Sequence, residues 1–173
     1  GLSGSLSFFV IAFPASLFIQ FFNDSKLATI LAVNGAELLE SWNFTGIPLA
    51  VGFIFLSIIL NLFMTSSSAN WLILAPIFVP MFAMVGFSPA LTQVAFRLGD
   101  SISNPIAPIN FFLPMVLGLM NSYKRPEDPE FGIGTLISYT LPYSIGYAIV
   151  LLIQLVLWML LGLPLGPGAG LYL

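Results

Sequence analysis

Apolar and polar positions alternate on the scale of whole segments: long oily runs are separated by short polar interruptions. Residues 6–22 are apolar and aromatic with Pro14 inside, and they predict a membrane helix kinked at a point that neighbouring helices accommodate. Asn23-Asp24-Ser25-Lys26 follows, either as a solvated loop or as an unwound point in a helix continuing over 26–39. Asn34-Gly35, Glu37 and Glu40 then lead out to water near Trp42, a residue suited to the interface. The run over 47–64 enters through Pro48 and carries one amide, Asn61. It stops at Thr65-Ser66-Ser67-Ser68-Ala69-Asn70-Trp71, and a further apolar run over 72–85, holding Pro76 and Pro80, begins at once. Two arrangements fit so short an interruption: two full crossings joined at the surface, or a re-entrant hairpin whose tip stops inside the bilayer. Serines suit such a tip, because their hydroxyls satisfy turn amides and offer oxygens to a ligand.

Ser88-Pro89 predicts a helix start, with the serine capping free amides and the proline in the first turn, where its missing N–H is harmless. Thr92, Gln93, Arg97, Asp100 and Ser101 then recur at three- and four-residue spacing, predicting a polar stripe turned toward the protein interior. Arg97 and Asp100 stand three apart, within reach of each other on one helical face. A charge at the bilayer centre costs about 3 kcal/mol on insertion scales, so such a pair marks either a functional position or a structural ion pair. Directly after it, Ser101-Ile102-Ser103-Asn104 with Pro105 and Pro108 should open the helix, and Pro114 punctuates a second half-helix ending near Asn121. Half-helix ends and loosened carbonyls inside a membrane suit ions and charged solutes. Lys124-Arg125 and three acids make 122–130 a surface loop, placed on the cytoplasmic side by its basic residues. The last helix opens at Gly132-Ile133-Gly134-Thr135 and runs to about Leu161 with Pro142 inside. Its Tyr139, Tyr143 and Tyr147 predict a packing stripe or interface belt.

Composition turns these segments into a class. With 58% hydrophobic and 6% charged residues and a mean hydropathy of +1.04, the chain reads as an all-α integral membrane protein whose principal partner is the lipid bilayer. The 173 residues form a single membrane domain over 1–173: helical segments over 6–42, a hairpin over 47–85, a broken helix over 88–121 and a last transmembrane helix over 132–162. Having no cysteine and no histidine removes thiol chemistry and the commonest zinc and haem ligands, and no cofactor is expected beyond a coupling ion. A net charge of −3 supplies no basic stripe for nucleic acid. Nor does a nucleophile–base arrangement emerge, since Lys124 lies far along the chain from the serine cluster, and an enzyme is not expected. The opening Gly-Leu-Ser-Gly has neither an initiator Met nor a basic region, so it reads as part of a longer protein and not as a signal peptide.

Several stretches together resemble the C-terminal half of the AbgT family, the p-aminobenzoyl-glutamate transporter family. They are Ser66-Ser67-Ser68-Ala69-Asn70-Trp71, Ala75-Pro76-Ile77-Phe78-Val79-Pro80-Met81-Phe82, Arg97-Leu98-Gly99-Asp100-Ser101, Gly132-Ile133-Gly134-Thr135-Leu136, Leu141-Pro142-Tyr143-Ser144 and Leu163-Pro164-Leu165-Gly166-Pro167-Gly168. The resemblance implies one half of an inverted-repeat transporter, with a re-entrant hairpin tip at Ser66–Trp71 and a helix break at Asp100–Pro105. It implies partners too: the N-terminal repeat of the same transporter, and a second copy in a homodimer in the bacterial inner membrane. The implied activity is ion-gradient-driven movement of small aromatic or anionic solutes, either import of p-aminobenzoyl-glutamate or efflux of sulfonamide antimetabolites. The alternative is a non-transporting fragment or structural subunit. Family positions carry over onto Trp71, Pro89, Arg97 and Asp100, with Ser66, Ser67, Ser68 and Asn70 beside them as substrate contacts. Asn70 stands where a basic residue is expected, which removes a charge contact there. The expected coupling set is Asn61, Asp100, Ser101, Ser103 and Asn104. Sodium fits the oxygens near Asn61, Ser66 and Asn104, and a proton fits Asp100.

Overall fold

The computed structural model describes residues 24–63, 66–108 and 112–173, together with 17, 20 and 21. The predicted kink at Pro14, Asn23 of the first polar interruption and Thr65 of the second lie outside the described residues. Among those described no β-strand occurs, only isolated bridges. Helix α1 (Leu27–Ser41) follows a turn at Lys26, whose φ of 56° is left-handed. It ends because Asn43 takes a φ of 51°, which asparagine tolerates better than most residues. The Phe44 N–H then reaches the Leu39 carbonyl at 2.8 Å, satisfying an acceptor that the helix end would otherwise orphan.

Helix α2 (Gly46–Phe63) and helix α3 (Ser67–Met84) come next, each of 18 residues. At 1.5 Å per residue each is about 27 Å long, close to the ~30 Å of a bilayer's hydrocarbon core. Helix α4 (Pro89–Ser103) passes into a 3-10 turn (Asn104–Ile106), and helix α5 (Leu113–Ser122) and helix α6 (Ile133–Leu160) complete the order. Three helices, α2, α3 and α6, are long and apolar enough to cross a membrane, with mean hydropathies of 2.3, 1.5 and 2.0. Two thirds or more of each lies outside the buried core, a cost in water that lipid removes. Tyr139, Tyr143 and Tyr147 are likewise exposed, so within the described residues they form an outward belt and no packing seam.

The described residues fall into two compact units, each discontinuous in sequence. The first comprises the described residues up to 50, with 68–94 and 163–173. Here Phe78, Phe82, Phe87 and Tyr172 form an edge-to-face ladder with centroids 5.5, 5.9 and 6.1 Å apart. Ser88 fixes the start of α4. Its Oγ accepts the Leu91 N–H at 3.1 Å, as the sequence predicts, and donates to the Gly170 carbonyl at 2.7 Å. The tail pairs alongside, with the Ser88 N–H on the Leu171 carbonyl and the Leu173 N–H on the Gly86 carbonyl.

The second unit comprises the described residues within 51–67 and 95–162. It buries Phe53, Ile54, Ser57 and Asn61 of α2 and Ala95, Phe96, Ile102 and Ser103 of α4, while the 3-10 turn and α5 pack on α6. Asn121 clamps the loop before α6. Its amide donates to the Leu117 and Phe131 carbonyls at 3.1 and 3.0 Å, and its Oδ1 accepts the Phe131 N–H at 2.9 Å.

The helix opening lies later than the sequence reading places it. α4 is regular through Ser103, so the break expected at Asp100–Pro105 begins only at Asn104. The helix continues through Ser101 and Ser103, whose hydroxyls bond carbonyls one turn back, on Arg97 at 2.9 Å and on Gly99 at 2.9 Å. Regular bonding fails only where Pro105 withholds its N–H. Ala107 then turns extended, with a ψ of 118°, and Pro114 sits in the first turn of α5, where the helix resumes.

Ser88→Ala should remove both the cap and the tail anchor, destabilising the protein by about 1–2 kcal/mol. Thermal unfolding and limited proteolysis in detergent check this: the tail should be cut faster, and unchanged cleavage would show that Ser88 does not hold it.

Candidate functional site

A carboxylate in an apolar chain must be answered by donors or by positive charge. Asp100 sits in the last turn of α4, 7% exposed, and three side chains of its own unit approach it. Ser67, the first residue of α3, places its Oγ 2.6 Å from Oδ1 and 2.7 Å from Oδ2. One hydroxyl proton serves both oxygens in turn, at the short lengths typical of charge-assisted bonds. Asn61, near the end of α2, donates from Nδ2 to Oδ1 at 3.2 Å. Arg97 stands one turn back on α4 with Nη1 at 3.9 Å from Oδ2.

These contacts are unequal. The Arg97 side chain is 52% exposed and reaches the carboxylate only at the outer limit of an ion pair, so solvent or headgroup screening leaves it a weak partner. Asp100 is therefore held chiefly by a hydroxyl and an amide. A carboxylate has about four acceptor positions, and two neutral donors do not exhaust them. Such a group is suited to accept a proton or a small cation beside Ser67 and Asn61, whose oxygens can also ligate.

The predicted polar stripe is divided by the fold. Of its five residues, Thr92 and Asp100 are buried within the chain and Gln93, Arg97 and Ser101 are exposed; of the two polar residues that follow, Ser103 is buried and Asn104 exposed. The reason is angular: steps of three and four residues spread five polar positions over more than one helix face. Ser103 Oγ is spent within its helix on the Gly99 and Asp100 carbonyls, at 2.9 and 3.2 Å. Ser101 is likewise turned to its own backbone. Asn104 opens the 3-10 turn, and Ser66, exposed, directly precedes α3. Ser68, Asn70, Trp71 and Pro89 belong to the first unit: Ser68 and Pro89 exposed, Asn70 buried, Trp71 half-buried. The structure thus brings Asn61, Ser67, Arg97 and Asp100 together. After the 3-10 turn, an apolar cavity of about 190 Å³ lies between Pro105, Ala107, Leu113, Val116, Leu136 and Thr140.

One feature of this site is absent from the residues singled out by sequence. α2 and α4 touch through Ser57 and Gly99, where a Cβ built on Gly99 would lie 2.6 Å from the Ser57 Cβ. The signal for it was the small-residue spacing Gly99-x-x-x-Ser103, a pattern that lets membrane helices approach closely.

Comparison with known proteins agrees with this architecture. The model of the family described as "AbgT putative transporter family" matches residues 2–173. The chain is 45% identical over 161 residues to the p-aminobenzoyl-glutamate transport protein of Escherichia coli strain K12, covering 93% of this chain and 31% of that protein. It is similar to the crystal structure of the YdaH transporter of Alcanivorax borkumensis, with a TM-score of 0.87, 39% identity and coverage of 96% of this chain and 35% of the other. MtrF of Neisseria gonorrhoeae, described among antimetabolite efflux pumps, matches with a TM-score of 0.80 and 38% identity over 96% of this chain and 33% of its own. The chain therefore spans about a third of the length of these relatives. With the match running through nearly every residue, this all-α membrane chain belongs to the AbgT transporter family.

Proposed function

We propose that this chain forms the cation-coupling part of a secondary transporter for small anionic aromatic solutes. The observation that carries the reading is the buried Asp100 carboxylate, held by the Ser67 hydroxyl and the Asn61 amide with Arg97 at the edge of reach. In this mechanism Asp100 takes up sodium or a proton. Ser67 and Asn61 switch from bonding the carboxylate to sharing the cation, with Asn104 and Ser66 as further oxygens nearby in the chain. Because the tip serine reaches a carboxylate buried just before a helix opening, the hairpin of α2 and α3 is read as re-entrant, its tip inside the bilayer. Arg97, largely exposed, then offers its charge outward to the anionic group of the solute.

Support for the solute class comes from the relatives, one a p-aminobenzoyl-glutamate transport protein and one among antimetabolite efflux pumps. Trp71, half-buried in the second turn of α3, has the flat indole face that stacks on a benzoyl ring. Transport requires the rest of the protein, including an N-terminal repeat with its own hairpin, and a second copy completes a homodimer. The exposed apolar flanks of α2 and α6 give such partners and lipid a surface to cover.

Two expected outcomes separate the roles of the charged pair in the native transporter reconstituted into vesicles. Asp100→Asn should abolish the dependence of transport on an imposed sodium or proton gradient, each gradient applied alone. Arg97→Ala should raise the solute KM about tenfold or more while leaving the cation half-saturation within about twofold, as expected for a lost charge-assisted contact. Wild-type cation dependence in Asp100→Asn would end the coupling role. A separate cycle tests the hold on the carboxylate. Ser67→Ala and Asn61→Ala, made singly and together in the wild type and in Asp100→Asn, should show coupling of about 1–2 kcal/mol in unfolding free energy that vanishes with the carboxylate.

A further inference from the structure

We propose that Gly99 is a positioning residue for the cation site: its missing side chain sets the α2–α4 separation at which the Asn61 amide reaches Asp100. The inference rests on the coupling role proposed for Asp100. An ideal Cβ on Gly99 would lie 2.6 Å from the Ser57 Cβ, 2.7 Å from the Ile54 carbonyl oxygen and 3.3 Å from the Ile58 nitrogen. The obstacles are backbone atoms and a Cβ, none of which a rotamer change can move. A side chain at this position therefore forces the helices apart by about 1 Å, the distance needed to restore ordinary van der Waals separation.

That displacement acts on the site because the contact and the ligands lie within one turn of each other on both helices. Ser57 and Asn61 are one turn apart on α2, both buried, and Gly99 directly precedes Asp100 on α4. The Asn61 Nδ2 to Asp100 Oδ1 distance is already 3.2 Å, at the long end for a hydrogen bond, so a further ~1 Å breaks it. Ser67 is less affected. It approaches Asp100 from the start of α3 at 2.6 and 2.7 Å, beyond the end of α2. Ser57 is fitted to the contact from the other side. Its hydroxyl turns back to the Phe53 carbonyl at 2.8 Å, leaving only a small Cβ toward Gly99. Gly99 thus controls one arm of the site, the amide, and leaves the hydroxyl arm in place.

The test uses the native transporter in vesicles, with sodium at fixed pH in one arm and a proton gradient without sodium in the other. Gly99→Ala should raise the half-saturating concentration of the coupling cation about tenfold, with maximal rate and solute KM within about twofold. Ser57→Val, which thickens the same contact from α2, should do likewise. The shift should match that of Asn61→Ala, and Gly99→Ala combined with Asn61→Ala should add nothing to it, a signature that general loosening of the fold does not produce. Gly146→Ala serves as the control, because a Cβ there meets nothing within 4 Å, and it should leave cation dependence unchanged. An unshifted half-saturation in Gly99→Ala, additive shifts in the double variant, or failure of both Gly99→Ala and Ser57→Val to fold would overturn the proposal. If Asp100→Asn abolishes cation dependence while Gly99→Ala matches wild type, this inference alone fails. If Asp100→Asn keeps that dependence, the coupling role itself is at fault.

Discussion

Burying one carboxylate in an apolar chain is the constraint on which the rest of the site depends. An unpaired charge at depth is expensive, and the fold answers Asp100 with a hydroxyl and an amide in close contact while its nearest cation stays at 3.9 Å. Full pairing with Arg97 would give a stable ion pair with little reason to bind anything else. Neutral donors hold the carboxylate in place yet leave its charge largely uncompensated. This is the balance a reversible cation site needs.

Three separate segments must meet to bring those two donors to the carboxylate, and each is delivered by a local device. The interruption between α2 and α3 places Ser67 at a helix start, where its side chain is free to turn toward Asp100. Small residues at Ser57 and Gly99 let α2 and α4 approach closely enough for Asn61 to follow. The 3-10 turn at Asn104–Ile106 ends α4 directly after Ser103, keeping Asp100 in the final turn. There the last carbonyls of the helix carry partial negative charge, which favours a cation close by.

Much of this was legible in the sequence, for physical reasons that can be named. The cap at Ser88-Pro89 depends on local chemistry, and the structure shows it with the Leu91 amide on the serine hydroxyl. The spans of α2, α3 and α6 follow from long apolar runs. The meeting of Arg97 and Asp100 follows from their spacing on one helix. What the sequence did not disclose is tertiary. Thr92 is buried and Gln93 exposed because of what packs on α4, not because of their own character. Which of three successive serines would reach Asp100 depends on where α3 begins. The opening of α4 was placed early because two serines were read as breakers, when their hydroxyls in fact bond back into the helix. Gly99 shows in the sequence only as part of a small-residue spacing, and what it meets lies in atoms of another helix.

The most direct measurement is infrared difference spectroscopy of the native transporter in lipid, recorded on adding sodium at fixed pH and on acidifying without sodium. The account predicts that one of these perturbations shifts a single carboxylate band, or converts it to a protonated carbonyl band, and that Asp100→Asn removes that feature while leaving the rest of the difference spectrum intact. Difference spectra that are the same with and without the Asp100 carboxylate would contradict it.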